Sequence, residues 1–462
     1  MGSAASFKQL RLFLIESCLD WRPRGSFGNV FFVIICINVA THFEWVADWL
    51  SISVSTWEML PTASREQGLF LGSELFFVGE SLYRDGCFAD PFGYESGATG
   101  WVAPLIPTVL MFLLWITGGS IESVAIIVLI LHTVMLASMT SRVIQESRQW
   151  GSAVWGGIAV SLVFCSDFEY LFLVTHDCVS LAFFLFLACY PRAGYHRAKI
   201  FSSPAFVGLS GGLLILASPV IGFCWFACRS LNVWRKTEAN PSSCRPKQRF
   251  QAKADLRGGL IGCVVASMVV VPWCFRNQYV LGLVAPVKTN AMFELYQSMY
   301  HTNDGIPDAS TFLLHPAIED SYLADEYRRV GEAKFLQTCS EKVIGRLRER
   351  PDWYLNQVGH RLLYSLLRIR SHSSWNALGI VNAFVYAMPF VISIGTLFIG
   401  YRFRIAWLSA SVFVIIVFLV PYWLISFYSR YAAILFVPRC LLTSWLLSAL
   451  FGKLNIPQRL RL

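Results

Sequence analysis

Glu74 is a single carboxylate set among apolar neighbours near the start of a glycine-rich stretch, Gly72 to Pro107 (GSELFFVGESLYRDGCFADPFGYESGATGWVAPLIP), that lies between two apolar runs. An acid placed this way can take a proton from an attacking group, or it is an ordinary loop acid held by a backbone amide. Far along the chain, Arg430 in YSRYAAILFVP opens the last apolar run. A guanidinium there can fork two phosphate oxygens while its stem lies in apolar surroundings, or it snorkels as a membrane anchor. Between them, PWCFRN and PVKTNAMFELY hold Arg276 and Asn277, then Lys288, Asn290 and Glu294. The two cations suit an anion or a membrane boundary; Asn290 and Glu294 suit hydroxyl groups or pair with each other on a loop helix. Three further acids compete with Glu74. Glu44 and Asp48 stand four apart near His42, beside Trp45 and Trp49, and Asp177 follows His176 inside an apolar run. An ionisable pair in such a run is costly, so it faces a cavity or a partner.

The elements that must carry these groups follow from composition. With 55% apolar and only 15% charged residues in 462, and a positive mean hydropathy, the chain is expected to be an all-α integral membrane protein. Ten apolar runs stand near the ~20 residues that a crossing helix needs: 27–40, 102–118, 121–139, 152–166, 168–190, 203–228, 258–275, 379–399, 405–424 and 432–450. The run 27–40 resembles a signal-peptide core, but bulky residues (THFEWVADWL) follow it, so it is read as an uncleaved first span. The chain divides into an N-terminal amphipathic segment with the first span (1–43), a first outer loop (44–101), a central bundle (102–275), a second large outer loop (276–378) and a three-span bundle (379–462). Loop 229–257, with eight Lys/Arg against two acids, is expected inside. Counting spans puts 140–151 and 191–202 outside although they carry Arg142, Arg148, Arg192, Arg197 and Lys199. Either the charge rule is locally broken or one short run turns back. In the second outer loop, Tyr354, Val358, Leu362 and Leu366 recur every fourth residue and predict an amphipathic helix over 353–368. The net charge of +9 collects at the ends of apolar runs, which points to topology and anionic lipid rather than nucleic acid.

The order Glu74, Ser81-Leu82, Gly86, Phe88, Pro91-Phe92-Gly93 and SGATGWVAPLIP resembles the first outer loop of bacterial GT-C-type membrane glycosyltransferases. It is similar, more narrowly, to those grouped with the dolichyl-phosphate-mannose protein mannosyltransferases. The resemblance extends through PWCFRN, His315-Pro316, YRRVGEAKF and the late Arg430-Tyr431 with Pro438. Where the best-known members carry Asp-Glu in the first loop, this chain has Ser73-Glu74.

The resemblance implies a GT-C fold of about ten transmembrane helices with two large extracytoplasmic loops. It implies transfer of a single sugar from a polyprenyl-phosphate carrier to an acceptor hydroxyl by inverting displacement, at the outer face of a bacterial-type inner membrane. Glu74 would be the base, with Arg430, Arg276 and Lys288 holding the donor phosphate. Tyr431, Asn290, Glu294 and Trp101 would line the substrate site, and Glu332 would be structural. The expected partners are the lipid-linked donor, membrane lipids and an acceptor that is a glycan, a lipid or a protein. No cofactor is implied, and no divalent metal, since no Asp-x-Asp pair occurs. A transporter or flippase of lipid-linked saccharides, or a glycan ligase on the same fold, would share the composition; transporters, however, often show two similar halves, which this chain lacks.

Thirteen cysteines do not make a disulfide framework, because nine fall in or at the ends of apolar runs and Cys18 and Cys244 in segments expected inside. Cys87 and Cys339, in outer loops, are either bridged or free thiols.

Overall fold

A computed structural model describes residues 26–41, 73–150, 153–173, 176–189, 203–238, 246–318, 321–368, 406–451 and Ala387. Among them there is no strand; two isolated bridges, Ala89 with Ala98 and Pro91 with Gly93, close a compact loop. Glu44, Asp48, the N-terminal amphipathic segment, nearly all of 379–399, Cys18 and Cys244 lie outside the described residues. Two helices are long and apolar enough to cross a membrane, over Ile121–Arg148 and Gly258–Leu281. Seven shorter apolar helices accompany them.

The helices are α1 (Ser26–Thr41), α2 (Ser73–Asp85), α3 (Leu105–Ile116), α4 (Ile121–Trp150), α5 (Ala153–Ser166) with a π turn at Glu169–Leu173, α6 (His176–Cys189), α7 (Pro204–Ala217), α8 (Pro219–Glu238) and α9 (Pro246–Leu281). The second loop contributes α10 (Ala291–Tyr300), α11 (Ala309–Phe312), α12 (Tyr322–Val330), α13 (Glu332–Glu349) and α14 (Pro351–Leu367). The chain ends in α15 (Ala406–Leu424), α16 (Arg430–Ile434) and α17 (Phe436–Phe451).

Side-chain pairings give each helix a direction. Gly156 of α5 meets Ser147 and Ile144 of α4, while His132 of α4 reaches the Leu171 carbonyl, so 153–173 retraces α4 in reverse. Trp155 stacks on Phe451 and Phe164 on Phe436, so α17 runs opposite to α5. Asn38, near the end of α1, donates to Thr133 at 2.8 Å, level with the Leu171 end of the bundle.

Two expected spans are corrected by these pairings. The run 102–118 forms only α3, twelve residues and roughly 18 Å long, too short to cross. Its buried Ile106, Leu110, Leu113 and Leu114 pack on Val124, Ala125, Val128 and Leu129 of α4 and on Phe76 of α2. The run 203–228 is not one rod either. Ser218 is extended (φ −161°, ψ 120°) before Pro219, which cannot continue a helix. The chain then doubles back, bringing Trp225 Nε1 to the Val207 carbonyl at 3.1 Å and Gly222 against Ile215. Pro204 faces Gly258, Gly208 faces Gly262, and Gly212 faces Val269, so α7 runs parallel to α9. A Cβ on Gly208 would stand 2.3 Å from the Gly262 carbonyl oxygen; only a bare backbone allows this approach.

A second core belongs to the loops. Phe88, Phe92 and Trp101 from the first pack with Phe293, Tyr296, Tyr327, Phe335 and Val343 from the second. Eight T-shaped or tilted ring pairs in this set lie 4.9 to 6.5 Å apart, each worth about 0.5–1.5 kcal/mol beyond its burial.

The amphipathic helix expected over 353–368 is α14, but its buried face differs. Gln357, Arg361 and Ser365 are turned inward with Leu366 of the expected face, while Tyr354, Val358 and Leu362 are only half-buried. The polar stripe is inward because it ligates the end of α15. Arg361 donates to the Trp423 carbonyl at 2.8 Å and the Ile425 carbonyl at 3.1 Å, and Arg368 donates to the Ser429 carbonyl at 2.8 Å. Burial pushes the Arg361 guanidinium down to about 10. These bonds set the path of 423–429, and therefore the position of the next residue, Arg430.

Candidate functional site

Glu74 sits in the first turn of α2, where unpaired backbone N–H groups favour a negative charge. Its side chain is 27% exposed. Burial pushes the carboxyl above its usual range; Arg430 and Lys288 pull it down, and Glu294 and Asp177 push it up. Groups from five separate stretches of chain therefore converge: α2, the loop before α10, α10 itself, the start of α6 and the start of α16. Among the described residues, His315 Nε2 stands 3.6 Å from Glu74 Oε1.

Arg430 is the first residue of α16, half-buried, with its guanidinium 5.4 Å from the ring centre of Tyr428 and 5.7 Å from that of Tyr431. It has no hydrogen-bond acceptor or ion-pair partner among the described residues, and neither has the half-buried Lys288. Two half-buried cations near the same carboxylate, with no acceptor among the described residues, are suited to an anion. Tyr431 lies against Tyr422 with ring centres 3.9 Å apart and forms a wall beside Arg430.

Other expected site residues occupy different places. Arg276 is not available for a phosphate: its Nη1 donates to the Thr99 carbonyl and its Nη2 to the Phe88 carbonyl at 2.7 Å. Its face also lies over Phe88 and Trp273. It is a clamp on the first loop. Trp101 is 1% exposed, enclosed by Phe92, Phe293, Tyr327 and Phe335, and offers no face to a substrate. Asn290 is buried and donates to Glu294 at 2.9 Å, so the two pair along α10, with Glu294 half-buried at the edge of the hollow. Asp177 opens α6 beside Arg430, and its Oδ1 accepts from the backbone of Cys178 at 2.9 Å.

Glu332 has the structural place expected of it. Gly331, at φ 78°, breaks α12 from α13 and turns Glu332 into the seam between the loops. There its carboxylate accepts from Thr99 Oγ1 at 2.6 Å, the Gly100 amide at 2.9 Å, Thr289 Oγ1 at 2.6 Å and Tyr327 Oη at 2.9 Å.

Sequence reasoning assigned no chemistry to His315. The ring is held edge-on to Phe92, Trp101 and Phe293, with centres 5.2 to 6.0 Å away. Burial, with Arg430 nearby, pushes its pKa down to about 3, so it is neutral. The only local signal was a histidine before a proline, which says nothing of a carboxylate 241 positions earlier.

Among the described residues, no group of three or more His, Cys, Asp or Glu side chains is arranged to hold a metal ion. Cys87 is exposed and Cys339 buried, and both are free. The chain matches no protein-family model, no curated protein and no solved structure.

Proposed function

We propose that this chain is a GT-C-type glycosyltransferase of about ten membrane spans, moving one sugar from a polyprenyl-phosphate carrier to an acceptor hydroxyl. One observation carries the reading: a carboxylate with raised proton affinity lies within electrostatic reach of two cations, Arg430 and Lys288, that have no hydrogen-bond acceptor or ion-pair partner among the described residues. Charges of opposite sign brought together from distant parts of the chain, yet not joined in an ion pair, suit a reaction that needs a base on one side and a phosphate clamp on the other.

The acceptor oxygen attacks the anomeric carbon while Glu74 takes its proton. The bond from that carbon to the phosphate oxygen breaks, its electron pair leaves with the lipid phosphate, and Arg430 and Lys288 neutralise the charge developing there. Tyr428 and Tyr431 hold the guanidinium without using its donors, so all five remain for phosphate oxygens.

The corrected helix directions favour a membrane reading over the simple count of spans. Losing 102–118 and splitting 203–228 leaves the sides of the later loops unchanged but reverses the stretch between. The end of α4, which carries Arg142 and Arg148, the end of α6 and the start of α7 then lie at the same end of the bundle as the start of the apolar part of α9, away from Glu74 and Arg430. On this topology the basic residues of 140–151, 191–202 and 229–257 all fall on one side, as the positive-inside rule requires. The inner membrane of a bacterium, with the site facing out, is the location this pattern favours. A reporter inserted in 190–202 should read cytoplasmic; an external reading would sink this topology.

For the activity, purified protein in lipid is offered a panel of polyprenyl-phosphate sugars. Consumption of one by wild type but not by Glu74→Gln is expected. Equal turnover by both would move the base to Asp177 or remove the mechanism.

A further inference from the structure

Glu74 has two carboxylate oxygens, and a base that delivers one of them to an acceptor needs the other held. Among the described residues, none of the surrounding charges does this by contact. Arg430, Lys288, Glu294 and Asp177 act on Glu74 through space, and the Tyr327 and Tyr428 phenols sense its charge without bonding to it. Among the described residues, His315 alone stands with a ring nitrogen toward it, Nε2 to Oε1 at 3.6 Å.

The histidine's tautomer is set by the chain. Nδ1 accepts the Ala317 amide N–H at 3.1 Å, so in the neutral ring the proton is on Nε2, the nitrogen that faces Glu74. The same turn is braced by Ser321, whose hydroxyl donates to the His315 carbonyl at 2.9 Å. Phe92, Trp101 and Phe293 fix the ring plane. A separation of 3.6 Å is longer than a hydrogen bond, and catalytic contacts commonly tighten only when substrate fills the site.

We propose that His315 is the positioning residue of Glu74: a neutral imidazole, locked as the Nε2–H tautomer, that donates to Oε1 and turns Oε2 toward the acceptor hydroxyl. The role in turnover rests on the transferase reading; the contact itself does not. Removing the donor destabilises the carboxylate relative to the acid, so the proton affinity of Glu74 rises and the acid limb of the rate profile moves to higher pH.

The test uses His315→Phe, which keeps an aromatic ring in the cage without an N–H, and His315→Gln, whose amide can replace the Nε2–H. Infrared difference titration of each protein against its Glu74→Gln counterpart reads the protonation of this one carboxyl with no substrate present. His315→Phe should shift the midpoint upward, and His315→Gln should return it toward wild type. With the active donor bound, His315→Phe should lower kcat roughly 10- to 100-fold, the range of a hydrogen bond to a charged group. KM for the donor should change little, and the acid limb should move with the infrared midpoint. An unmoved midpoint in His315→Phe, or equal losses in both variants, would overturn the proposal. A midpoint that moves as expected in a protein that consumes no lipid-linked sugar would leave the histidine–carboxylate pair standing and remove the transferase reading.

Discussion

The seam between the two loops and the hollow below it are built from the same residue types, and they use them in opposite ways. In the seam, Glu332 accepts four hydrogen bonds and Arg276 spends both terminal nitrogens on backbone carbonyls. In the hollow, among the described residues, Glu74 accepts no side-chain hydrogen bond within ordinary length, and Arg430 is held by aromatic faces with no acceptor or ion-pair partner. An acid and an arginine that are saturated stabilise a fold. The same pair left unsaturated, although burial makes that costly, is kept for something the chain does not itself supply.

This contrast is open to direct attack. The largest effect should come from Glu74→Gln, which ought to lower transfer by about 100-fold or more, the range of a general base, while circular dichroism and detergent solubility stay as in wild type. Glu332→Ala should do the reverse. Four donors would lose their acceptor, costing about 3 kcal/mol in chemical or thermal unfolding, with the activity of the folded fraction largely kept. Next in size, Arg430→Ala should raise KM for the lipid-linked donor roughly tenfold or more, and Arg430→Lys should recover part of it. Arg276→Lys should instead destabilise by about 1–2 kcal/mol and leave that KM unchanged; a raised KM would put Arg276 back among the phosphate ligands.

The smallest effect is one of pH. Burial holds the folded Glu74 carboxyl above its unfolded value, so its protonated form is the one the fold favours. Its contribution to stability is greatest in acid and is lost as pH rises through the folded pKa. Glu74→Gln should therefore melt at a higher temperature than wild type near neutral pH, with the gain shrinking as pH falls. A gain that grows in acid would mean that Glu74 is stabilised as the anion and belongs with Glu332.

How far the chain could be read differs by kind of signal. Hydropathy located the described apolar helices but not which way they ran, and it did not mark α2 or the loop helices α10 to α13. Ser218-Pro219 interrupts 203–228 and could have been taken as a break, since an extended residue before proline ends helices. Nothing in the apolar run 102–118 distinguishes a crossing helix from α3, because its length with the flanking residues is adequate and only its packing on α2 and α4 shows it stopping short. On the proposed topology, the charge conflict at 140–151 and 191–202 comes from these two runs. Likewise, the four-residue period of Tyr354, Val358, Leu362 and Leu366 gave the helix but not its buried face, because Arg361 and Ser365 are turned in by acceptors and donors on another segment, Ser365 taking the Trp423 indole N–H at 2.7 Å.

Residue type and local order alone determined that this chain is helical and strongly apolar, that its polar content is gathered into two loops, and that Glu74 and Arg430 stand where isolated charges are costly. Those are properties of short stretches, and short stretches carry them in their composition and period. Whether an arginine is a clamp or a free cation, and which histidine faces the carboxylate, was decided only by the fold. Each depends on carbonyls, amides and rings contributed from up to 241 positions away, and no local pattern encodes the partner of a hydrogen bond.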